Sequence, residues 1–228
     1  MRSAFVFTCL ILLFNLNLSA QNYKTVRVKA GTRVVDYFPV NERYRYQEFV
    51  PGQVVFKNGK SNNLKLNYNF LFGEIEFIQS ADTLYISKKK DIRFVIAQDT
   101  FFYDMGYIEV ISGGSIRVGL KQYVKIKEIL KEGAFGTTNR VSSVDTYNSM
   151  STNGISYDLI PKEDIEVEMT LEYYLSDPLG GFTLFTRKNV IQLFPQRADE
   201  IKAYIKSKKV DFDSRDDLLI FADYLRSL

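Results

Sequence analysis

In the segment IEVEMTLEYYL, residues 165–175, the carboxylates Glu166, Glu168 and Glu172 fall on one side of an alternation of apolar and polar residues. Oxygen donors in such a row are what a hard divalent cation takes. The row has a plainer meaning as the solvated face of a strand, where Lys125 and Lys127 of YVKIK oppose it in cross-strand charge pairs. The plainer meaning prevails, and no metal ligand is assigned.

Asp99 and Asp104 flank the run TFFY. Two carboxylates hydrolyse a glycoside without help from histidine when their separation is right. Aspartates at strand ends are equally ordinary turn formers, and nothing in the spacing sets their separation. Ser142, Ser143 and Ser149 lie in a polar stretch with no Gly-x-Ser-x-Gly elbow, and the chain has no histidine to act as a base. The only cysteine is Cys9, in a segment read below as a cleaved leader, so thiol catalysis, disulfide exchange and a thiolate metal site are excluded from the remainder. No phosphate loop or dinucleotide fingerprint occurs, and Gly113-Gly114 reads as a hairpin turn. No catalytic residue and no cofactor is therefore expected.

Lys88-Lys89-Lys90 and Lys206-Ser207-Lys208-Lys209 are basic runs with the chemistry to touch phosphate. The first reads as a strand connection and the second as the end of a helix, where the dipole favours cations. Lysine and arginine total 30 against 27 acidic residues, a near-balance that supplies no field for nucleic acid. Tyr44-Arg45-Tyr46 interleaves aromatic and basic groups in a way that suits stacking, yet it is also plain strand alternation in a core or edge strand.

The elements that must position these groups are mostly strands. In NLKLNYNFLFGEIEFI, residues 63–78, Leu64, Leu66, Tyr68 and Phe70 share one face, with Lys65, Asn67 and Asn69 on the other. Past the Gly73 bend, Ile75 and Phe77 continue the apolar face while Glu74 and Glu76 continue the polar one. This predicts a hairpin that builds a sheet and carries no site. Gln53 to Lys57 precedes Asn58-Gly59, a two-residue hairpin signal. Thr83 to Ser87, Ile92 to Ala97, Thr100 to Tyr103, Tyr107 to Ser112 and Ser115 to Leu120 are further short strands. Ile165 to Leu175 is the clearest strand, apolar at Ile165, Val167, Met169, Leu171, Tyr173 and Leu175.

After Thr186 the period changes. Lys188 to Phe194 reads as a short helix stopped by Pro195, Gln196 to Lys208 as a second, and a third opens at an Ser214 N-cap with Asp216 and Asp217 in its first turn. Too short to stand alone, these helices should pack on the sheet as a cap. Gly133 to Gly154 shows no evident pattern and is expected to be a surface loop, one long enough to serve as a contact.

Residues 1–20 carry Arg2, an apolar run from Ala4 to Phe14, and Leu18-Ser19-Ala20, the layout of a secretory leader cleaved before Gln21. Asn15 and Asn17 interrupt the run short of the about 20 apolar residues that a spanning helix needs, so no transmembrane segment is expected after cleavage. An outer-membrane barrel is disfavoured, because spanning strands need about 9 to 11 residues and most strands here read shorter.

Pro51-Gly52-Gln53-Val54-Val55-Phe56-Lys57-Asn58-Gly59, Leu66-Asn67-Tyr68-Asn69, Asp82-Thr83-Leu84 and Lys188-Asn189-Val190-Ile191-Gln192-Leu193-Phe194-Pro195 together resemble uncharacterised exported β-rich proteins of the Bacteroidota. The resemblance implies a cell-envelope location and transfers no active-site residue. The expectation is a mainly β, α+β chain: a leader at 1–20, an antiparallel meander, roll or barrel at 21–186 with a polar loop at 133–154, and a helical cap at 187–228. Its expected role is a non-enzymatic envelope interaction or structural module, periplasmic or extracellular, with an envelope protein as partner through the loop or a sheet edge. The alternative is a carrier whose barrel encloses a small ligand in a Tyr/Phe-lined cavity.

Overall fold

A computed structural model of the chain describes residues 25–80, 82–86, 91–104, 106–132, 138–142, 160–177 and 179–228. The leader at 1–20 and Lys88-Lys89-Lys90 lie outside these residues. Strand β1 (Thr25–Val28) leads through one turn of 3-10 helix, Val34–Tyr37, to the one-turn helix α1 (Val40–Arg43). Next come β2 (Val50–Phe56), β3 (Ser61–Asn69), β4 (Glu74–Gln79) and β5 (Asp82–Tyr85). Then follow β6 (Ile92–Ile96), β7 (Asp99–Tyr103), β8 (Tyr107–Ser112), β9 (Val118–Glu132) and β10 (Thr138–Ser142). The chain closes with β11 (Asp164–Ser176), β12 (Phe182–Leu184) and the helices α2 (Arg187–Leu193), α3 (Ala198–Lys208) and α4 (Arg215–Arg226).

Among the described residues, twelve strands join one antiparallel sheet in the order β1-β11-β9-β8-β7-β6-β2-β3-β4-β5, with β10 on β9 and β12 on β11. The sheet is open, with β1 and β5 ending it, so of the meander, roll and barrel the closed barrel is not adopted. It nonetheless curls. The carbonyl of Phe70, just past β3, accepts a hydrogen bond from the Val124 amide of β9 at 3.1 Å, and Tyr68 Oη donates to the Gln122 carbonyl at 2.6 Å.

The local chemistry explains most elements. At the β2–β3 turn Gly59 has φ 80°, a left-handed conformation that glycine adopts without steric cost, and its amide donates to the Phe56 carbonyl at 2.9 Å. Two expectations are corrected by continuity. The strand expected at Ser115 to Leu120 begins only at Val118 and is continuous with Tyr123 to Lys127 as β9, because Val118, Leu120, Val124 and Ile126 keep one buried face with no breaker between them. Within the expected loop at 133–154, Thr138–Ser142 pairs with Glu128–Glu132 as β10; the rest of that stretch lies outside the described residues.

Three apolar clusters sit against this sheet. Val54, Leu66, Tyr68, Ile75, Phe94, Ile96, Phe101 and Tyr107 fill the curled middle. Val28, Val34 and Phe38 close over Leu71, Phe72, Val124, Ile126, Ile165 and Val167. The third joins Val118, Leu120, Tyr173 and Leu175 to Val190, Ile201, Leu218, Phe221 and Leu225 of the three helices, which cap the sheet as their spacing predicts. Thr186 and Ser214 cap α2 and α4, each accepting from a backbone amide three residues on.

Candidate functional site

The polar face of the β3–β4 hairpin is where the structure departs furthest from the alternation. Asn67, Asn69, Glu74 and Glu76 are buried, not wet, with Glu76 fully inaccessible. What covers it is the segment from Tyr44 into β2. Tyr44 bridges to Asn69 and Val50 pairs with Leu66, so residues 45–49 stand against only Asn67 and Tyr68 and must arch away from the ladder. The Asn67 amide fills the gap: its Oδ1 accepts from the Tyr46 and Tyr68 amides at 3.1 and 2.9 Å, and its Nδ2 donates to the Tyr46 and Glu48 carbonyls at 2.9 and 3.1 Å. A side chain thus replaces the missing backbone partners, as a buried arch demands.

Three consecutive residues of this arch bind carboxylates. Tyr44 Oη donates to Glu76 at 2.7 Å, and Asn69 Nδ2 reaches the other oxygen of that carboxylate at 2.8 Å. Arg45 Nη2 lies 3.2 Å from Asp99 and 3.1 Å from Glu109, so one guanidinium nitrogen serves both. Tyr46 Oη lies 2.6 Å from Asp99 and 3.0 Å from the Ile96 carbonyl. Burial pushes the Tyr44 and Tyr46 phenols far above their ordinary range, and the neighbouring carboxylates push the same way. Burial also raises the Glu109 carboxyl, against the pull of Arg45 and with a further push from Asp99.

This constellation has acids but no exposed reactive face. A glycosidase needs a carboxylate pair flanking substrate; here Arg45 occupies the space between Asp99 and Glu109, and Tyr46 covers Asp99. The cluster's chemistry is that of a latch. It fastens the arch to β4, β7 and β8 at once.

The other sequence candidates are dispersed. Asp104 sits one residue past the far end of β7 from Asp99, about 16 Å along an extended chain, and accepts from the Phe182 amide at 3.2 Å. Lys125 and Lys127 approach Glu168 at 3.4 and 3.1 Å, the cross-strand pairing read from the alternation. Glu172 accepts from Tyr123 and Tyr174 at 3.0 and 2.9 Å with Lys121 at 3.9 Å, while Glu166 stands opposite Glu128 beside a bulge. Among the described residues no group of three or more acidic, histidine or cysteine side chains is arranged to hold a metal. Ser142 ends β10; Ser143 and Ser149 lie outside the described residues. Lys206 and Lys208 occupy the exposed last turn of α3, and Gly113-Gly114 lies in the β8–β9 connection.

Asn67, Glu76 and Glu109 were not singled out by the sequence, because polar residues at alternate positions look the same wet or covered. The signal available was the run of four asparagines in β3, Asn62, Asn63, Asn67 and Asn69, a residue type depleted in strands unless its side chain bonds the backbone.

Among the described residues the sheet also ends in a strand, β5, that no further strand pairs. All four residues of β5 are exposed, including Leu84 and Tyr85, and Ile78 of β4 lies beside them at 39 % exposure. Natural edges are usually blunted by charge, proline or a covering loop; β5 carries only Asp82. Among the described residues no helix is long and apolar enough to cross a membrane. No family model matches the chain, and no curated protein or solved structure matches it.

Proposed function

We propose that the chain is an exported, non-enzymatic envelope module that captures a partner protein by strand addition at β5. The observation that supports this reading is the exposed β5 edge, an end strand with Leu84 and Tyr85 on opposite faces and no strand beyond it among the described residues. An incoming extended segment gains backbone hydrogen bonds from such an edge, and its alternate side chains meet Leu84 and Phe77 on one face, Tyr85 and Ile78 on the other. The expected partner segment is extended and apolar at alternate positions. Export rests on the layout of residues 1–20.

A photo-crosslinking amino acid placed at position 84 tests the reading in cells, with position 220 on α4, exposed at 61 %, as the control surface. A discrete partner adduct from position 84 that disappears in a chain carrying Tyr85→Lys supports strand addition. Equal labelling from both positions, or none from 84, rejects it.

A further inference from the structure

Where α3 and α4 pack together, two tyrosines lie face to face. Tyr204 of α3 and Tyr224 of α4 have ring centroids 3.9 Å apart and planes within 12° of parallel. Packed aromatic rings ordinarily keep their centroids about 4.5 to 7 Å apart, offset or edge to face, so this pair is closer than packing alone requires. By contrast, Tyr68 and Tyr107 stand 6.4 Å apart and Tyr103 and Tyr107 5.2 Å apart, each pair edge to face.

The helices set this stack. Ile201 and Ile205 of α3 and Phe221 and Leu225 of α4 are buried in the cap, and Tyr204 and Tyr224 stand half-buried at the borders of those two stripes. The Phe221 ring lies 5.4 Å from Tyr204 and 6.3 Å from Tyr224, with planes within 14° of both, so one buried ring fixes the tilt of the pair. Among the described residues neither phenol donates a hydrogen bond to a protein group, which leaves both protons able to pass to water. The chain's one cysteine is Cys9, so no disulfide joins these helices.

We propose that Tyr204 and Tyr224 are an oxidative cross-linking site, joined as dityrosine by a haem peroxidase working on hydrogen peroxide. Each phenol gives up one electron and one proton, leaving a phenoxyl radical whose unpaired electron is shared with the two Cε carbons. A Cε of Tyr204 and a Cε of Tyr224 form a new carbon–carbon bond, and the hydrogen on each of those carbons is exchanged through water for one on the phenol oxygen, which restores both rings. Two electrons and two protons leave in all, and one hydrogen peroxide takes them up to become two waters. The stack serves the step twice. Overlapping faces share the first electron hole, and they keep the second ring alongside when it is oxidised in turn. Half-exposed, the rings have room to roll from stacked to edge-joined as the bond forms. The product staples α3 to α4, and the site is independent of strand addition at β5.

Treatment of the whole chain in dilute solution with a haem peroxidase and hydrogen peroxide, followed by tryptic mapping, tests the assignment. The peptides Ala203–Lys206 and Asp216–Arg226 should appear joined and short of two hydrogens, with dityrosine fluorescence in the monomer band. Tyr204→Phe and Tyr224→Phe each keep the ring and lose the phenol, and each should abolish the joined peptide. In the urea-unfolded chain, where the stack is gone, its yield should fall at least about tenfold. The variants and the unfolded chain are separate controls, so the test stands if one variant fails to fold. Preferential joining of other tyrosines, cross-links only between molecules, no joined peptide at all, or an equal yield from the unfolded chain overturns the proposal.

Discussion

Tyr44 and Glu76 lie 32 residues apart in the chain and meet at 2.7 Å, a phenol donating to a fully buried carboxylate. The contact ties an irregular arch to the second strand of a hairpin, and it makes the arch's position depend on a buried carboxylate to which Tyr44 and Asn69 both donate. Tyr44→Phe removes the phenol donor from that carboxylate. We expect a loss of about 1–3 kcal/mol in urea unfolding, with faster proteolytic cutting between residues 44 and 49. Asn67→Leu should be at least as damaging, since it strips four backbone groups of their partner at once.

Alkali should act through the same tyrosines. The phenols of Tyr44, Tyr46, Tyr68, Tyr107, Tyr123 and Tyr174 are all held above their ordinary value, burial being the leading cause in each. A group whose native value is raised favours the fold while it is protonated, and that contribution falls as pH climbs past the unfolded value of about 10. Phenolate absorbance and loss of the folded circular dichroism signal should therefore rise together in one cooperative step. Gradual ionisation of these tyrosines while the fold persists would contradict the burial argument.

Glu109 makes an opposite test at the acid end. Its carboxyl is raised by burial despite Arg45, so its contribution to stability is full below the ordinary glutamate value of about 4.3 and declines as pH rises through the higher native one. Glu109→Gln removes that decline. Measured by urea unfolding, the stability of the native chain relative to Glu109→Gln should fall from about pH 4 to pH 6. A rise over the same interval would mean that Arg45 outweighs burial.

The helical cap depends on one ring. Phe221 is fully buried, with Phe185 stacked at 5.8 Å and Tyr204 at 5.4 Å. Phe221→Ala should cost about 3–5 kcal/mol. Its neighbour Ile220, which is exposed, should tolerate alanine within about 0.5 kcal/mol. Thermal unfolding of the two variants separates burial from composition.

Gly119 is required by close approach. A Cβ built there would stand 2.3 Å from Ile108 Cγ2, on the strand paired alongside, with the Phe182 ring at 3.1 Å on another side. Gly119→Ala should cost about 1–3 kcal/mol through displacement of β8, seen as a lowered thermal midpoint. Ile108→Leu in the same chain, which takes away the branching Cγ2, should recover part of the loss.

How much of this was legible in the chain depends on the range of the forces involved. Alternation at Leu64, Leu66 and Tyr68, the turn at Asn58-Gly59 and the capping serine at Ser214 are dictated by neighbours within a few residues. They were readable as strands, hairpin and helix start, and the structure has them where they were read. The cross-strand pairing of Glu168 with Lys125 and Lys127 was also readable, since both strands declare their faces by parity.

The latch was not. Period-two patterning says which residues share a face, but it cannot say whether an arch will later cover that face. Asn67, Asn69, Glu74 and Glu76 were read only as the polar face of the hairpin for that reason. Nor does spacing reveal that Arg45 will meet both Asp99 and Glu109, because those distances are set by strand order and by the curl that brings β3 to β9. The amino-acid sequence by itself determined the strands, the helices, the want of histidine chemistry, and the balance of charge, all properties of composition or of near neighbours. Only the tertiary structure decided which polar groups are dry, which carboxylates share an arginine, and which tyrosines stack, because long-range packing sets the burial and the distances that give those same residues their chemistry.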